Sequence, residues 1–273
     1  MRCSPLADTF GTTIYKTMKI KALFLAATAV FFASSLLAQT VTLDYYFNHE
    51  VNKTGKRFHY MWEDTDVSGF SILGQAFKNA GAKTLSSLDA APTAANLKGT
   101  TVYIIVDPDT KKESPNPNYI MPKDIVEIEN WVKKGGVLLM LANDSANVEL
   151  PHFNMLAARF GMHFNDDLQN HVIDDNHFAD GALVTDGNTI FPTAKKVFMK
   201  DVCSISTSGP AKPALKNAAG ATIIAIAKFG KGTVMAIGDP WLYNEYTNGR
   251  LPAEYENDKA ANDIAAWLLK QAK

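Results

Sequence analysis

Two unbroken apolar runs, Val102–Val106 (VYIIV) and Val137–Ala142 (VLLMLA), constrain the fold of this 273-residue chain more than any other feature. A strand with one face in water alternates apolar and polar residues, whereas a strand covered on both faces is apolar throughout. Segments with helical spacing lie between such runs, as expected when helices connect parallel strands. The sequence therefore predicts an α/β fold built on a mostly parallel sheet with helices on both faces.

The second half of the chain has a different pattern and predicts a β-rich region. Short β-like pieces alternate with Asp, Asn, Gly and Pro over residues 162–220, and residues 221–237 predict a hairpin that turns at Phe229-Gly-Lys-Gly232. A first strand is predicted over Val41–Phe47. Helices are predicted after a Ser68 cap up to Gly81, from Pro122 to Gly135, over Phe153–Phe160 and over 257–270.

The first 38 residues have the pattern of a leader rather than of a folded domain. After Met18, Lys19 and Lys21 precede an apolar stretch at 22–33 and a small residue, Ala38, as in secretory signal peptides. We predict that translation starts at Met18 and that residues 39–273 form a single domain, exported to the periplasm or the extracellular space. The alternative for the apolar stretch is a membrane span; we expect no span after signal removal.

Composition and cysteine usage exclude several classes of partner. The chain has 27 basic and 28 acidic residues, so nothing favours nucleic acid. Cys203 is the one cysteine after the predicted signal, which excludes an intrachain disulfide and predicts a buried, inert thiol. No zinc or phosphate motif occurs, and we predict no cofactor and no metal. The alternative is a hard cation held by strand-end carboxylates, namely Asp107, Asp109, Asp144 and Asp239.

Polar residues follow each predicted strand of the sheet. The carboxyl ends of parallel strands meet at one edge of a sheet, where ligands of open α/β folds bind. Acids and amides at that edge, beside aromatic rings, suit the hydroxyls and C–H faces of a sugar. The alternative is that each Asp or Asn closes a turn or caps a helix. The four strand ends are Asn48-His49-Glu50, Asp107-Pro108-Asp109, Asn143-Asp144-Ser145 and Asp239-Pro240-Trp241.

These strand ends and the aromatic residues near them give the candidate site. Ser145 lies where a nucleophile could follow the central strand, but the flanking glycines of a nucleophile elbow are absent, which favours helix capping. If the protein is an enzyme, paired carboxylates would carry acid–base chemistry; the candidates are Asp144, Asp239 and Glu245. The predicted substrate-binding residues are Asn48, His49, His59, Trp62, Asp64, Asp107, Asn143, Trp241, Tyr243, Asn244 and Tyr246.

Four long segments resemble a known family. The segments at 58–71, 102–120, 131–149 and 230–250 resemble an amidotransferase-like domain of exported Bacteroidetes proteins. That domain occurs alone or C-terminal to unsaturated rhamnogalacturonyl hydrolases of glycoside hydrolase families 88 and 105. The resemblance implies the class I glutamine amidotransferase fold, which is flavodoxin-like in its layering, and a role in pectin breakdown.

The resemblance does not extend to amidotransferase chemistry. Where that family has a cysteine after the central strand, this chain has Asn143-Asp144, and Gly238-Asp239-Pro240 replaces the late His-x-Glu element. Together with the polar strand ends, the resemblance favours an accessory domain that recognises a pectin-derived oligosaccharide or polysaccharide. The alternatives are a hydrolase of a glycan or its ester, and a structural partner of a separate glycoside hydrolase.

Overall fold

The computed structural model describes Met1 and residues 39–272. The predicted signal peptide falls outside the described residues, apart from Met1. Within the described part of the chain, no helix is long and apolar enough to cross a bilayer.

A seven-stranded, mostly parallel sheet organises the fold, and this confirms the predicted α/β class. The strand order is β2-β1-β3-β4-β11-β10-β9; the first five strands are parallel, and β10 is antiparallel to both of its neighbours. In chain order the elements are β1 (Thr40–Asp44), α1 (Ser71–Asn79), β2 (Thr84–Leu88), β3 (Val102–Val106), α2 (Pro122–Lys133), β4 (Val137–Leu141), α3 (Leu150–Ala158), β5 (Met162–Phe164), β6 (Ala182–Val184), β7 (Lys196–Phe198), β8 (Ile205–Thr207), β9 (Ala211–Lys216), β10 (Thr222–Phe229), β11 (Gly232–Ile237) and α4 (Asn257–Gln271).

The two apolar runs form β3 and β4, the central strands, and every residue of both is buried. Alternate side chains of β3 belong to two separate apolar clusters, because successive residues of a strand point to opposite faces. Ile104 packs in a cluster with residues of α1 and α4, whereas Tyr103 packs in a cluster with residues of α2 and α3. The continuous apolar sequence thus supplies both cores.

Several predicted boundaries differ from the structure, and α3 is Leu150–Ala158 rather than Phe153–Phe160. The boundaries of β1 and α1 differ for a reason that the structure shows. The first strand ends at Asp44 rather than at Phe47, because the Asp44 carboxylate accepts the backbone N–H of Phe47 at 2.7 Å and turns the chain. Helix α1 begins at Ser71, so Ser68 is not its cap. The Glu245 carboxylate takes that role from far along the chain, since it accepts the Ile72 N–H at 3.1 Å and the Ser71 hydroxyl.

The second half is β-rich, as predicted, although its pairing could not be seen in the sequence. The β10–β11 hairpin is confirmed. Strand β9 was not predicted, because Pro213 argues against a central strand; β9 is an edge strand of the sheet, where proline is tolerated. Strands β5 and β8 pair with each other, as do β6 and β7, outside the main sheet.

Candidate functional site

A cavity of about 170 Å³ lies at the carboxyl ends of β3, β4 and β11. Polar side chains dominate its wall, and one indole ring, that of Trp241, forms part of it. Five predicted site residues line this cavity, namely His59, Asp107, Asn143, Asp144 and Trp241. Six further residues complete the lining, namely Glu50, Tyr60, Glu113, Asn147, Lys200 and Asp201.

A chain of hydrogen bonds joins the three strand ends. The Trp241 Nε1–H donates to the Tyr60 hydroxyl at 3.2 Å, and that hydroxyl donates to Asp107 Oδ2 at 2.9 Å. Asn143 Nδ2 approaches the same oxygen at 3.4 Å from the end of β4. Asn48 Nδ2 donates to the Asp107 carbonyl at 2.7 Å, so Asn48 positions the backbone of the site. These bonds fix the cavity wall without any ligand.

Asp107 is the least satisfied group of the cavity. Its side chain is buried, and Oδ2 accepts both of the bonds described above, whereas Oδ1 has no hydrogen-bond partner. Burial raises the pKa of Asp107 well above its usual range, and the nearby Glu113 carboxyl raises this pKa further. A buried oxygen without a partner is costly to a folded protein.

Backbone strain is concentrated around this cavity. Among the described residues, five that are not glycine have a positive φ, and four of them line the cavity. A positive φ costs on the order of 1 kcal/mol or more for a residue with a side chain, and such residues cluster at functional sites. The four are His59 (φ 68°), Tyr60 (φ 45°), Asp107 (φ 44°) and Asp201 (φ 52°).

The aromatic wall consists of Trp241 backed by Tyr246. Their ring centroids are 4.7 Å apart at an interplanar angle of 37°. Lys200 Nζ lies 5.4 Å from the Trp241 ring, and the Arg250 guanidinium lies 3.9 Å from the Tyr246 ring. Tyr246 therefore supports the wall from behind and is not itself part of the cavity lining.

Asp239 is buried beneath this wall and acts as a local cap. Its Oδ1 accepts the Trp241 N–H at 2.6 Å, and its Oδ2 accepts the Lys200 N–H at 3.2 Å. Both oxygens are therefore used within the fold, and Asp239 does not line the cavity. Burial raises its pKa to about 7, against the opposing effect of these two backbone donors.

His49 belongs to a second polar cluster beside the cavity. Its Nε2 lies 3.1 Å from the Ser114 hydroxyl, and its Nδ1 lies 3.0 Å from Asp109 Oδ2 without the alignment of a hydrogen bond. The His49 backbone N–H also donates to Asp109 Oδ2. Burial lowers the pKa of His49, and the charge of Arg57 lowers it further. The neutral imidazole is therefore favoured.

Besides Asn48 and His49, two predicted residues from the loop after β1 lie outside the cavity. Trp62 donates its Nε1–H to the Ser86 carbonyl at 2.8 Å and packs edge-on against Phe77 of α1. Asp64 Oδ1 accepts the Asp66 N–H within its own turn. Both residues shape the fold on the side of α1, so the aromatic residues predicted to gather at one site are divided between two places.

Besides Asp239 and Tyr246, three predicted residues after β11 also lie outside this cavity. Glu245 caps α1, as described above. Tyr243 and Asn244 are buried and border a different cavity, of about 420 Å³, near the start of α4. Asn244 Oδ1 accepts the Tyr246 N–H at 3.1 Å, which shapes the segment that holds the aromatic wall.

Six lining residues were missing from the predicted site. Glu50 pairs with His59, at 2.7 Å between Glu50 Oε1 and His59 Nδ1. Glu50 belongs to a predicted strand end, so this lining residue could have been found from the sequence. Tyr60 lies in a loop without periodicity. Lys200 and Asp201 follow β7, outside the main sheet, and no pattern along the chain connects them to β3 or β4.

The described residues were compared with the ligand sets of metal sites, and Cys203 with a reactive thiol. Within residues 39–272, no three histidine, cysteine or carboxylate side chains come together as metal ligands. Cys203 is a buried free thiol, and burial raises its pKa.

Comparisons with known proteins reveal the fold alone. No family model and no curated protein matches the chain. Among solved structures, the chain is similar to the mmIFT52 N-terminal domain (TM-score 0.61, 18% identity, 84% of this chain and 97% of that chain). It is also similar to Cytoplasmic Protein STM1381 from Salmonella typhimurium LT2 (TM-score 0.55, 14% identity, 86% and 100%). Cytoplasmic Protein STM3548 from Salmonella typhimurium has a TM-score of 0.53 at 12% identity (85% and 97%).

Proposed function

We propose that this protein is a sugar-recognising α/β domain whose binding site is the cavity at the ends of β3, β4 and β11. The observation that carries the proposal is the preformed constellation of Trp241, Tyr60 and Asp107, with one buried carboxyl oxygen left without a partner. A sugar offers an apolar face to the indole and a hydroxyl to the carboxyl group. Sites of this kind are concave, preformed and fixed by a few polar groups.

The fold supports placing a ligand there. The parallel strands follow the order β2-β1-β3-β4-β11, which matches the flavodoxin-like order 2-1-3-4-5. In that fold, ligands bind beyond the carboxyl ends of the strands, near the point where the strand order reverses. The two apolar clusters fit helices on both faces of such a sheet. We propose the amidotransferase-like version of this fold, without its cysteine nucleophile.

The biological setting is part of the same proposal. The resemblance of segments 58–71, 102–120, 131–149 and 230–250 to domains linked with rhamnogalacturonyl hydrolases suggests a pectin-derived ligand. It also suggests export to the periplasm or beyond, and association with a separate glycoside hydrolase. A cavity of about 170 Å³ is smaller than the roughly 300–1,000 Å³ typical of drug-sized ligands, so one terminal sugar unit would enter it.

The test compares two tryptophans that the sequence alone could not separate. Binding of rhamnogalacturonan and galactan oligosaccharides would be measured by titration calorimetry for the unmodified chain, Trp241→Ala and Trp62→Ala. We expect Trp241→Ala to weaken binding at least about tenfold, since it removes the wall of the cavity. Trp62→Ala should retain binding because Trp62 packs on α1. Circular dichroism would verify that both variants fold. Equal affinities for the two variants would refute the assignment of the site.

A hydrolase of a glycan ester is the second candidate, favoured by the His49 cluster. Ser114 Oγ lies 3.1 Å from His49 Nε2, and His49 Nδ1 lies 3.0 Å from Asp109 Oδ2. The three side chains thus follow the order of a serine hydrolase triad. The carboxylate version is less favoured, since Asp239 and Glu245 already cap local structure.

A fluorophosphonate probe tests this second candidate directly. Ser114 Oγ would attack phosphorus, fluoride would leave, and His49 would take the hydroxyl proton. Labelling that is lost in Ser114→Ala and kept in Ser145→Ala would establish the hydrolase. An unlabelled protein would exclude Ser114 as an activated nucleophile.

A further inference from the structure

The cavity wall is strongly acidic, and most of its carboxyl groups have no basic partner. Glu50 pairs with His59, and Asp201 Oδ2 lies 3.1 Å from Lys200 Nζ. Three carboxyl groups remain, those of Asp107, Glu113 and Asp144, and among the described residues none of the three is in an ion pair. Lys200 and His59 are the only basic side chains in the described lining. The wall therefore carries an excess of acid.

The remaining bonds of these carboxyl groups are local. Glu113 Oε2 accepts the backbone N–H and the hydroxyl of Thr110, both at 2.8 Å. Asp144 accepts the Ala146 N–H at 2.9 Å and Asn147 Nδ2 at 2.8 Å. These bonds hold the carboxyl groups in place without neutralising them. Asp107 differs, because it lines the cavity and its buried Oδ1 has no hydrogen-bond partner.

We propose that the cavity binds an uncharged sugar unit and excludes a uronate. The protein would then bind the neutral sugars of a pectic glycan and not its acidic backbone units. This inference rests on the proposed function and specifies its ligand. A hydroxyl both donates and accepts, so it can pair with the Asp107 carboxyl group whether or not that group is protonated. A uronate carboxylate can only accept, and it would bring a negative charge beside Glu113 and Asp144.

Galactose and galacturonic acid form a matched pair of probes, because they differ at C6 alone. Both would be titrated against the full chain by ligand-observed NMR at about 20 mM and about 500 mM NaCl. We expect galacturonic acid to bind at least about tenfold more weakly than galactose at low salt. The difference should narrow at high salt, because salt screens the repulsion and leaves a neutral ligand almost unaffected.

A charge-removing variant provides the second arm. Glu113→Gln combined with Asp144→Asn should bring the two affinities within about threefold of each other, whereas Asp186→Asn, at an exposed position outside the cavity lining, should leave the difference unchanged. If the double variant fails to fold, the salt series on the unmodified chain still tests whether charge repulsion excludes the uronate.

The possible failures can be told apart. Uronate binding equal to or tighter than that of galactose would overturn this inference while leaving sugar recognition intact. If neither these sugars nor the oligosaccharides bound, both the proposed function and this inference would be refuted.

Discussion

The ends of β3 and β11 carry the same dipeptide, Asp107-Pro108 and Asp239-Pro240, yet the two acids behave differently. Both follow an apolar parallel strand and both are buried. Asp239 has an extended backbone (φ −148°), and each of its oxygens accepts a backbone N–H. Asp107 has a φ of 44°, it lines the cavity, and one of its oxygens is buried without a hydrogen-bond partner. The same Asp-Pro dipeptide thus forms a cap after β11 and supplies a candidate binding group after β3.

The difference teaches that backbone geometry decides the role of a strand-end acid. An extended Asp can fold its carboxylate back onto the next N–H groups and cap the following turn. In the left-handed region Asp107 instead directs its carboxyl group to side chains that are distant along the chain, namely Tyr60 of the loop after β1 and Asn143 after β4. The local hydrogen bonds of Asp239 therefore indicate a structural cap, whereas the buried oxygen of Asp107 without a partner makes Asp107 the candidate binding group.

The largest expected effect comes from the residue before Asp239. A Cβ at Gly238 would lie 1.9 Å from the Cys203 carbonyl oxygen, so the backbone would have to move. We expect Gly238→Ala to lower the free energy of unfolding by about 3 kcal/mol, measured by urea denaturation. Gly249→Ala, where a Cβ meets nothing within 4 Å, should cost only about 1 kcal/mol, for its positive φ. Equal losses would show that crowding at the end of β11 is unimportant.

The next effect tests the cap itself. Asp239→Asn leaves one oxygen to accept a backbone N–H and points an NH₂ group at the other donor. We expect a loss of about 2 kcal/mol in the free energy of unfolding at pH 5, where the native carboxyl group is largely protonated, and of about 1 kcal/mol or more at pH 8. Asp66→Asn, an exposed substitution, provides the control. A loss below about 0.5 kcal/mol at both pH values would contradict the capping role.

The pH dependence of stability should reflect these buried acids. Burial raises the native pKa of Asp44 to about 6, and those of Asp109 and Asp239 to about 7. The native state therefore retains protons that the unfolded chain has already released near pH 4. Their contribution is complete below pH 4 and is lost as pH rises through 6 and 7. We expect the free energy of unfolding to fall by on the order of 2 kcal/mol from pH 5 to pH 8. A rise over this range would contradict the raised pKa values.

Much of the sheet could be predicted, because its signal is local. The apolar runs that became β3 and β4 need no knowledge of their partners, and the Pro122 helix start follows from proline's fixed φ. Strand β9 could not be predicted, since whether Pro213 is tolerated depends on lying at an edge of the sheet. The cap of α1 could not be predicted either, because Glu245 is about 170 residues away along the chain.

The site could be predicted only in part, for the same reason. Asp107, Asn143 and Trp241 follow strands, and parallel pairing alone brings them together. Lys200 enters from outside the main sheet, and Tyr60 enters from a loop whose left-handed backbone has no sequence pattern. Trp62 could not be distinguished from Trp241, because composition identifies an aromatic residue and only the tertiary fold decides which cavity it borders.

The smallest expected effect is the same substitution at the other dipeptide, Asp107→Asn. Asparagine tolerates a positive φ, and its single carbonyl oxygen can take the place of Oδ2 and accept from Tyr60 and Asn143. Its NH₂ group would replace Oδ1, which has no donor to clash with. Because burial already raises the pKa of Asp107 well above its usual range, the neutral amide resembles the native carboxyl group. We therefore expect a change within about 0.5 kcal/mol in the free energy of unfolding at pH 7, by urea denaturation. A loss as large as that of Asp239→Asn would mean that Asp107, too, is a structural cap, and it would remove the reason for placing a ligand beside it.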